Sequence, residues 1–419
     1  MNAYIDSIIY LMIFGILFIQ VAPVFQKSTD YFKLGLFFYF FSTELSRTFF
    51  PLFVKSFTVP FLGDSMLMAL PQMVWGFSAL VFTPFGMVIA KKYGNRNVLL
   101  YSAAFTWLAL MMTAFIDNYW VMLVARSLMA ASYGSVAIVA VIYLSQKGGA
   151  KSVAVFLSSL AAASICGSVL GGALAEQYTY SQVFFVSSVL AYTAGLLFLT
   201  RFRDVPVKAA GALSKSREYL KNYRIQIFAV CGAMPFRLVI TGFVLYLLPV
   251  FLHNFNFSNL EIGQLMMLYF LFSWLMVGPT AHFLDKYHLY KSTTIASSFL
   301  MAFSLLVFYL AEGHAAMVAV SIVLLAIGMS VNNSIQVPII PRIFPQECER
   351  YGRENIVAYF RTVERVGSVI GPFLAALLFA NFETRTVLFI GLFVALQSAV
   401  LWFQFLQSNN PKLEMATSH

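Results

Sequence analysis

Residues 65–96 read SMLMALPQMVWGFSALVFTPFGMVIAKKYGNR, an uncharged run that ends in a group of basic side chains. A helix of about 20 predominantly apolar residues crosses a bilayer, and Lys and Arg concentrate in the loops on its cytoplasmic side. The whole chain has this character, since 60% of its 419 residues are hydrophobic and 11% are charged. Too little polar surface remains to cover a water-soluble core, so we predict an all-α polytopic membrane protein.

Thirteen runs of the chain are long and apolar enough to cross a membrane as helices. A leading span covers residues 5–25, and the other twelve are numbered here as spans 1 to 12. Spans 1 to 6 cover residues 32–57, 65–90, 97–116, 119–145, 153–175 and 180–202. Spans 7 to 12 cover residues 224–252, 260–284, 292–311, 315–343, 355–380 and 384–407.

The spans form two halves around a basic central segment. We predict an extra N-terminal helix in residues 1–30 and two pseudo-symmetric six-helix bundles in residues 31–202 and 224–408. A cytoplasmic linker, residues 203–223, joins the two bundles, and residues 409–419 form a cytoplasmic tail. Pro51 and Pro249 are 198 residues apart, and the Gly-x-x-x-Gly pairs that begin at Gly167 and Gly367 are 200 apart. This near-constant offset indicates an internal repeat. Transporters built from such repeats bind substrate between the halves and rock one half against the other.

The Lys and Arg residues indicate the orientation in the membrane. Twenty of the 27 lie in segments that share one side of the twelve-span unit, two lie opposite and five lie within spans. The positive-inside rule places both ends of that unit in the cytoplasm, under a plasma (inner) membrane, and the leading span then places the N-terminus outside. The alternative for the leading span is an interfacial helix, because Gln20 and Pro23 interrupt it. The bilayer also accounts for the net charge of +10, which in a soluble chain would suggest a nucleic-acid partner.

The loop after span 2 reads GMVIAKKYGNR over residues 86–96. With the six-plus-six arrangement, this loop makes the chain after residue 30 resemble the major facilitator superfamily, which has a glycine, an acid and several bases there. The acid is missing from the first-half loop, while the second half keeps an acid–base pair at residues 285–286. The resemblance implies that the inner gate is formed by Lys91, Lys92, Arg96, Asp285 and Lys286.

Two further stretches are similar to motifs of that family. Arg126 in span 4 begins a stretch similar to the family's helix 4 arginine motif, which implies that Arg126 stabilises the bundle or assists proton transfer. Gly167-x-x-x-Gly171-Gly172 in span 5 is similar to a motif of exchangers and exporters, without its usual proline. It weakly favours export, and the glycines by themselves indicate close helix packing.

Ionisable residues within spans mark substrate or ion pathways, or else pair structurally. Glu44 and Arg47 in span 1 are three residues apart and share one helical face near the middle of the bilayer. Glu44 is the candidate for proton coupling, because burial favours the neutral acid whereas an approaching guanidinium favours the carboxylate. The alternative is a permanent Glu44–Arg47 pair that neutralises both charges.

Other arginines within spans suit an anionic substrate or a structural network. Arg237 in span 7 follows Pro235 at a depth similar to that of Arg47, and guanidinium groups pair bidentately with carboxylate or phosphate. We therefore predict that Arg47 and Arg237 bind an anionic group of the substrate, and the alternative for Arg237 is a pair with Glu44. In span 11, we predict a structural network that closes the cytoplasmic side against span 10, formed by Arg361, Glu364 and Arg365.

Polar side chains within spans are also candidates for cavity walls. Span 10 carries Asn332, Asn333 and Gln336, and such polarity is tolerated where a helix lines a water-filled cavity. With Tyr133 in span 4 and Tyr39 in the aromatic run of span 1, these residues are predicted to bind substrate. The alternatives are helix packing and, for the aromatic run, contact with lipid.

The sequence has no phosphate-binding loop, nucleophile constellation or cysteine-rich metal pattern, so we predict no enzyme activity, no cofactor and no metal. We predict a proton-coupled secondary active transporter that moves a small amphiphilic or anionic organic solute by alternating access. Its partners are then this solute and the lipid bilayer, and not nucleic acid. The alternative is a transporter-like receptor or complex subunit that contacts a partner protein through residues 1–26.

Overall fold

The structure is a computed structural model that describes residues 3–21, 30–201 and 222–408. Within those ranges all regular secondary structure is helical. Helices suit an apolar chain, because backbone groups that face lipid have to form their hydrogen bonds within the segment. The predicted linker lies outside the described residues except for its last two positions, and the predicted tail lies wholly outside them.

The first half of the chain forms helices whose ends follow local sequence signals. In the described residues they are α1 (Ala3–Val21), α2 (Asp30–Glu44), α3 (Phe50–Lys55), α4 (Asp64–Tyr93), α5 (Asn95–Phe115), α6 (Tyr119–Gln177) and α7 (Tyr180–Arg201). Gly94 separates α4 from α5 with a φ of 87°, a conformation that favours glycine. At the start of α6, the Asn118 side chain accepts hydrogen bonds from the N–H groups of Trp120 and Val121.

Span 1 is two helices rather than one. After α2 ends at Glu44, residues 45–49 form turns, and α3 begins at Phe50 with Pro51 in its first turn. A proline has no N–H, and its ring clashes with the carbonyl four residues earlier, so the first turn of a helix is the place that accommodates it best. The interruption places Glu44 at the end of one helix and Arg47 in the turn that follows.

Spans 4 and 5 belong to one unbroken run of helical backbone, α6. A straight helix of its 59 residues would be about 88 Å long, far more than the roughly 30 Å of a hydrocarbon core. However, the Phe40 ring lies 5.0 Å from the Tyr133 ring and 5.7 Å from the Phe156 ring. The chain therefore doubles back on itself, and the two apolar segments of α6 are Tyr119–Leu144 and Phe156–Gln177.

The second half of the chain is more interrupted than the first. In the described residues its elements are α8 (Tyr223–Gly232), α9 (Met234–Leu238), a π-helix (Val239–Leu247), α10 (Leu248–Asn254), α11 (Asn259–Leu275), α12 (Val277–Tyr287), α13 (Tyr290–Leu310), α14 (Ala315–Ile335), α15 (Ile340–Ile343), α16 (Pro345–Tyr351), α17 (Arg353–Phe382), a 3₁₀ turn (Glu383–Arg385) and α18 (Thr386–Ser408). Pro235, Pro249 and Pro341 lie in the first turns of α9, α10 and α15. Spans 7 and 10 are therefore broken at prolines, as span 1 is.

Ten helical segments in the described residues are long and apolar enough to cross a membrane. The prediction of twelve spans plus one is therefore not confirmed as a count. Helices α2 and α3 are each shorter than a crossing, and spans 11 and 12 fall in one continuous apolar run, Asn355–Phe405. Helix α1 has 19 residues and contacts α2 and α6, and its crossing of the bilayer stays a prediction.

The chain divides into two compact units. The first contains Met1–Ala209 and Leu245–Leu271, and the second contains Ala210–Val244 and Phe272–His419. Within the first unit, the Tyr246 hydroxyl donates a hydrogen bond to the Ser65 carbonyl at 2.7 Å. The second half of the chain thus contributes α10 and most of α11 to the first unit.

In the second unit, aromatic side chains pack around Phe228. Its ring lies 5.4 Å from that of Phe344 and 5.5 Å from that of Phe360, and all three are buried. This core joins α8 to α17 and to the segment between α15 and α16. Asn332 and Gln336, two polar residues in and just after α14, lie beside this core.

Candidate functional site

A buried charge cluster lies where α2 ends, formed by Glu44, Arg47 and Arg126 and called here the Glu44 cluster. The Glu44 side chain is fully buried, and Nη2 of Arg47 lies 2.6 Å from its Oε1. This contact is an ion pair without hydrogen-bond alignment, and among the described residues neither oxygen of Glu44 accepts an aligned hydrogen bond. Arg126 is also buried and interacts electrostatically with both partners.

Several polar atoms around Glu44 are buried without a hydrogen-bond partner in the part of the chain that the structure describes. They include the hydroxyl oxygens of Ser46 and Thr48, in the turn after α2, and Nε of Arg126. Buried polar groups are nearly always hydrogen-bonded, and an unpaired one is costly. A concentration of such atoms around one carboxylate is typical of a site that binds protons, water or a ligand.

Aromatic rings surround the guanidinium of Arg126. Its Cζ lies 3.3 Å from the centre of the Phe50 ring and 5.2 Å from that of Trp75. The Trp75 ring in turn lies 5.4 Å from the ring of Tyr133, a predicted cavity residue that is half-buried here. Cation–π contacts of this kind stabilise a cation that lacks a full hydrogen-bond shell. The sequence did not single out Phe50, because the pattern of span 1 does not show which of its residues face span 4.

Glycines in α6 allow the turn after α2 to approach closely. A Cβ added to Gly167 would lie 2.7 Å from Cβ of Glu44, and one added to Gly171 would overlap the carbonyl oxygen of Leu45. The exporter-like glycine motif therefore has a packing role here, which is to hold α6 against the Glu44 cluster.

A second charge cluster lies in the second unit, formed by Arg237, Arg361, Glu364 and Arg365 around a buried carboxylate and called here the Glu364 cluster. Nε of Arg237 donates to Oε1 of Glu364 at 2.5 Å, and Nη1 of Arg361 donates to Oε2 at 2.5 Å. The Glu364 side chain is 2% exposed, whereas those of Arg237 and Arg361 are 37% and 40% exposed. Arg365 interacts electrostatically with all three. Arg237, for which a pair with Glu44 was the alternative expectation, thus pairs with Glu364.

Polar residues of α14 extend this cluster. Nη1 of Arg361 donates to Gln336 at 3.5 Å, Gln336 donates to Asn332 at 3.2 Å, and Asn332 donates to Ser298 at 3.3 Å. The neighbouring Asn333 is exposed. The contact between Arg361 and Gln336 joins spans 10 and 11 where we predicted a structural network.

A small cavity with room for about one water molecule lies beside these polar residues. Its polar lining comes from Thr294, Asn332 and Gln336, and its aromatic lining from Phe228 and Phe360. At that size it is a gap in helix packing and not a pocket for an organic molecule.

The two clusters occupy equivalent places in the internal repeat. Gly167 of α6 faces Cβ of Glu44, and Gly367 of α17 faces Cβ of Arg237, where an added Cβ would lie 3.2 Å away. Each glycine begins one of the two Gly-x-x-x-Gly pairs that are 200 residues apart, and each faces an interrupted helix. Glu44 and Arg237 thus each lie against one of these two glycines, although they are 193 residues apart and the glycines are 200 apart. Sequence landmarks alone had not matched these two residues.

The remaining predicted residues fall into two groups. Tyr39 is fully buried, and its hydroxyl forms a 2.9 Å hydrogen bond with that of Thr106, which places it in the packing between α2 and α5. The residues of the predicted inner gate lie at helix ends, where the Lys92 and Lys286 ammonium groups each lie 5.1 Å from the ring of the following tyrosine.

The rest of the predicted gate lies in the same regions. Lys91 and Asp285 are exposed, at the ends of α4 and α12. Arg96 donates to the carbonyl of Leu199 at 2.5 Å, which ties α5 to α7.

Known proteins share this architecture. The multidrug resistance protein MdtG of Proteus mirabilis (strain HI4320) is 25% identical over 347 residues, which cover 79% of this chain and 82% of that protein. The solved nucleoside transporter NupG superposes with a TM-score of 0.71 at 15% identity, over 90% of this chain and 100% of that one. A D-xylose–proton symporter superposes with a TM-score of 0.66 at 14% identity, over 90% and 97%. At such identities the solved structures show the fold alone.

The family itself is shown by sequence. The sequence profile of the Major Facilitator Superfamily matches residues 34–253 and 230–416, which together leave out little more than α1. The matches confirm the resemblance seen in the loop after span 2 and in span 4. The chain belongs to the major facilitator superfamily, a family of membrane transporters.

Proposed function

We propose that this transporter is proton-coupled, with Glu44 as the protonated group, and that it moves a small amphiphilic or anionic organic solute by alternating access. The observation that carries the proposal is the fully buried Glu44 carboxylate, which has one misaligned ion pair and buried polar neighbours without partners. Burial disfavours a charged carboxylate, and Arg47 and Arg126 offset that cost only while they stay beside it, so a movement that separates them from Glu44 favours proton uptake. A family match and a multidrug-resistance relative favour transport over the alternative of a receptor or complex subunit.

The cluster links proton and solute through shared arginines. While Glu44 is charged, it neutralises Arg47 and interacts with Arg126. When it takes up a proton, both guanidinium groups lose that counter-charge and attract another anion more strongly. Proton occupancy and solute occupancy therefore depend on each other in the first unit.

The names of similar proteins support the solute class and the coupling. The MdtG relative is named for multidrug resistance, which fits amphiphilic solutes, and one solved structure with the same fold is a proton symporter. The aromatic rings around Arg126, together with the guanidinium groups of Arg47 and Arg126, fit a molecule that has an apolar body and an acidic group. We further propose that the protein lies in the plasma (inner) membrane with its C-terminus in the cytoplasm.

The test measures internal pH in proteoliposomes that contain a trapped pH-sensitive dye. Naphthalenesulfonate, tetraphenylphosphonium and ethidium are added in turn, since none of them carries a proton across lipid as a weak acid does. We expect wild type to couple one of them to proton flux. Glu44→Gln should lose that flux while it still exchanges labelled for unlabelled solute, because exchange needs no net proton movement.

The matched control is Glu261→Gln. Glu261 accepts a hydrogen bond from the N–H of Ser258 and caps α11, so its loss should leave coupling intact. Wild-type proton flux in Glu44→Gln would assign Glu44 to structure, and the absence of flux with every solute in protein that still exchanges them would reject proton coupling.

A further inference from the structure

Two buried hydroxyl groups in the turn after α2 differ from the hydroxyls that precede them in the chain. In α2 itself, the Ser42 and Thr43 hydroxyls each donate a hydrogen bond to the carbonyl three residues earlier, at 2.7 and 2.8 Å. Ser46 and Thr48 are buried as deeply, with 0% and 1% of their surface exposed, but among the described residues neither hydroxyl has a hydrogen-bond partner. Burying a hydroxyl without a partner costs free energy. A partner that forms in another state of the protein would offset that cost.

The structure shows Glu44 in its charged state. Arg47 forms an ion pair with the carboxylate at 2.6 Å, Arg126 approaches it from α6, and the Ser164 hydroxyl of α6 also interacts with it. In the described residues, no charged side chain of α7, the other helix that packs extensively against α2, acts on Glu44. The two hydroxyls of the turn thus contribute nothing to the charged carboxylate.

Protonation changes the partner that Glu44 needs. A protonated carboxyl gains an O–H donor, and a buried donor has to find an acceptor. Arginine has five donors and no acceptor, so neither Arg47 nor Arg126 can receive this hydrogen bond. A hydroxyl oxygen can receive it. The partners of the charged carboxylate and of the neutral acid are therefore different groups.

The turn carries both kinds of partner. Ser46 and Thr48 follow Glu44 by two and four residues, on either side of Arg47. The N–H of Arg47 donates to the carbonyl of Glu44 at 3.1 Å, so the turn continues the winding of α2. Side chains three and four residues apart are neighbours on such a winding, which places Thr48 beside Arg47 on the side of Glu44. A small rotation of the turn that withdraws Arg47 would bring a hydroxyl towards the carboxyl group.

We propose that the turn after α2 switches Glu44 between two sets of partners: Arg47 pairs with the charged carboxylate, and the hydroxyls of Thr48 and Ser46 accept the hydrogen bond of the protonated acid. This switch rests on the proposed protonation of Glu44 and adds the residues that stabilise its neutral form. The proton comes from solvent, and within the protein only hydrogen bonds are exchanged. Ser46 and Thr48 are positioning residues, since neither takes up the proton itself.

The test follows the protonation of Glu44 directly, by infrared difference spectroscopy of purified protein in lipid nanodiscs during a pH titration. The carboxylic acid band that Glu44→Gln removes gives the titration midpoint of Glu44. In the double variant Ser46→Ala/Thr48→Val, we expect this midpoint to fall by roughly half to one pH unit. The protonated acid loses its acceptors there, whereas the charged carboxylate keeps Arg47. Thr48→Ser retains a hydroxyl and should keep the wild-type midpoint.

The matched control is Ser42→Ala/Thr43→Val, which removes two buried hydroxyls that already have partners in the same segment. Its midpoint should equal that of wild type, while its melting temperature well above the midpoint should fall. At the same pH, Ser46→Ala/Thr48→Val should keep or raise the melting temperature, because a hydroxyl without a partner does not stabilise the fold.

A midpoint that is unchanged or higher in Ser46→Ala/Thr48→Val would overturn the proposal, and so would an equal fall in the control. The titration needs neither solute nor gradient, so it stays valid if solute-coupled proton flux is not found in proteoliposomes. If Glu44→Gln removes no band at any pH, Glu44 does not take up a proton, and both this switch and the proposed coupling through Glu44 are rejected.

Discussion

At the scale of single residues, each buried carboxylate is shared between arginines, and the sharing differs between the two clusters. Glu44 pairs with Arg47 from its own chain segment, 2.6 Å away, and Arg126 approaches from α6 over the Phe50 ring. Glu364 instead bridges α9 and its own helix α17, with one arginine on each oxygen. Glu364 therefore ties two elements together by hydrogen bonds, whereas Glu44 holds its partners mainly by charge.

The stability of single variants should follow the charge that remains in the Glu44 cluster. Glu44→Gln leaves two buried cations without a counter-charge, whereas Arg47→Gln leaves Glu44 and Arg126 as a neutral pair. Breaking a buried pair so that a charge stays uncompensated costs roughly 3–5 kcal/mol. We expect the melting temperature of purified protein to fall by several degrees in Glu44→Gln and by less in Arg47→Gln. An equal or larger fall in Arg47→Gln would contradict this account.

At the scale of elements, interrupted helices pack against glycine-bearing ones in both halves. The turn after α2 lies against Gly167 and Gly171 of α6, and α9 with its π-helix extension lies against Gly367 and Gly371 of α17. At the repeat offset, Pro51 lies in the first turn of α3 and Pro249 lies where the π-helix passes into α10. The absent side chains let backbone approach backbone, so that a broken helix still finds close packing.

Substitution of one of these glycines tests that packing. Gly171→Ala would drive a methyl group into the carbonyl oxygen of Leu45, and a backbone atom cannot rotate away. We expect a loss of stability at or above the upper end of the roughly 1–3 kcal/mol that overpacking costs. In the control, Gly195→Ala, the new methyl would lie 3.4 Å from Cβ of Ala103, an ordinary contact, so thermal unfolding should be unchanged or slightly raised. Similar melting temperatures for both variants would argue against a tight crossing.

At the scale of the whole molecule, the charge distribution predicts which ends face the cytoplasm. Lys92, at the end of α4, belongs to the basic side, and Lys55, at the end of α3, is one of two basic residues predicted opposite. Both side chains are exposed, so a reagent in water can reach either from its own side. If the leading span crosses the bilayer as predicted, it places the N-terminus on the side opposite Lys92.

Cysteine labelling measures this orientation. In a background with Cys166, Cys231 and Cys348 replaced by Ala, we expect Lys55→Cys to react with a membrane-impermeant maleimide on intact cells. Lys92→Cys should react only after the cells are permeabilised. Asn2→Cys should behave like Lys55→Cys if the leading span crosses the bilayer, and like Lys92→Cys if it is an interfacial helix. The reverse pattern at Lys55 and Lys92 would invert the topology.

The sequence by itself determined the membrane-helical class and the family, and it predicted the repeat, because hydropathy, motif spacing and proline positions are properties read along the chain. It also singled out Glu44, Arg237 and Glu364, since charges within apolar spans are conspicuous. Only the tertiary structure decided that Arg237 pairs with Glu364, which is 127 positions away. It alone placed Phe50 over Arg126 and buried Tyr39 against Thr106. Such contacts depend on which helix faces meet, and the sequence pattern of one helix does not show which other helix packs against it.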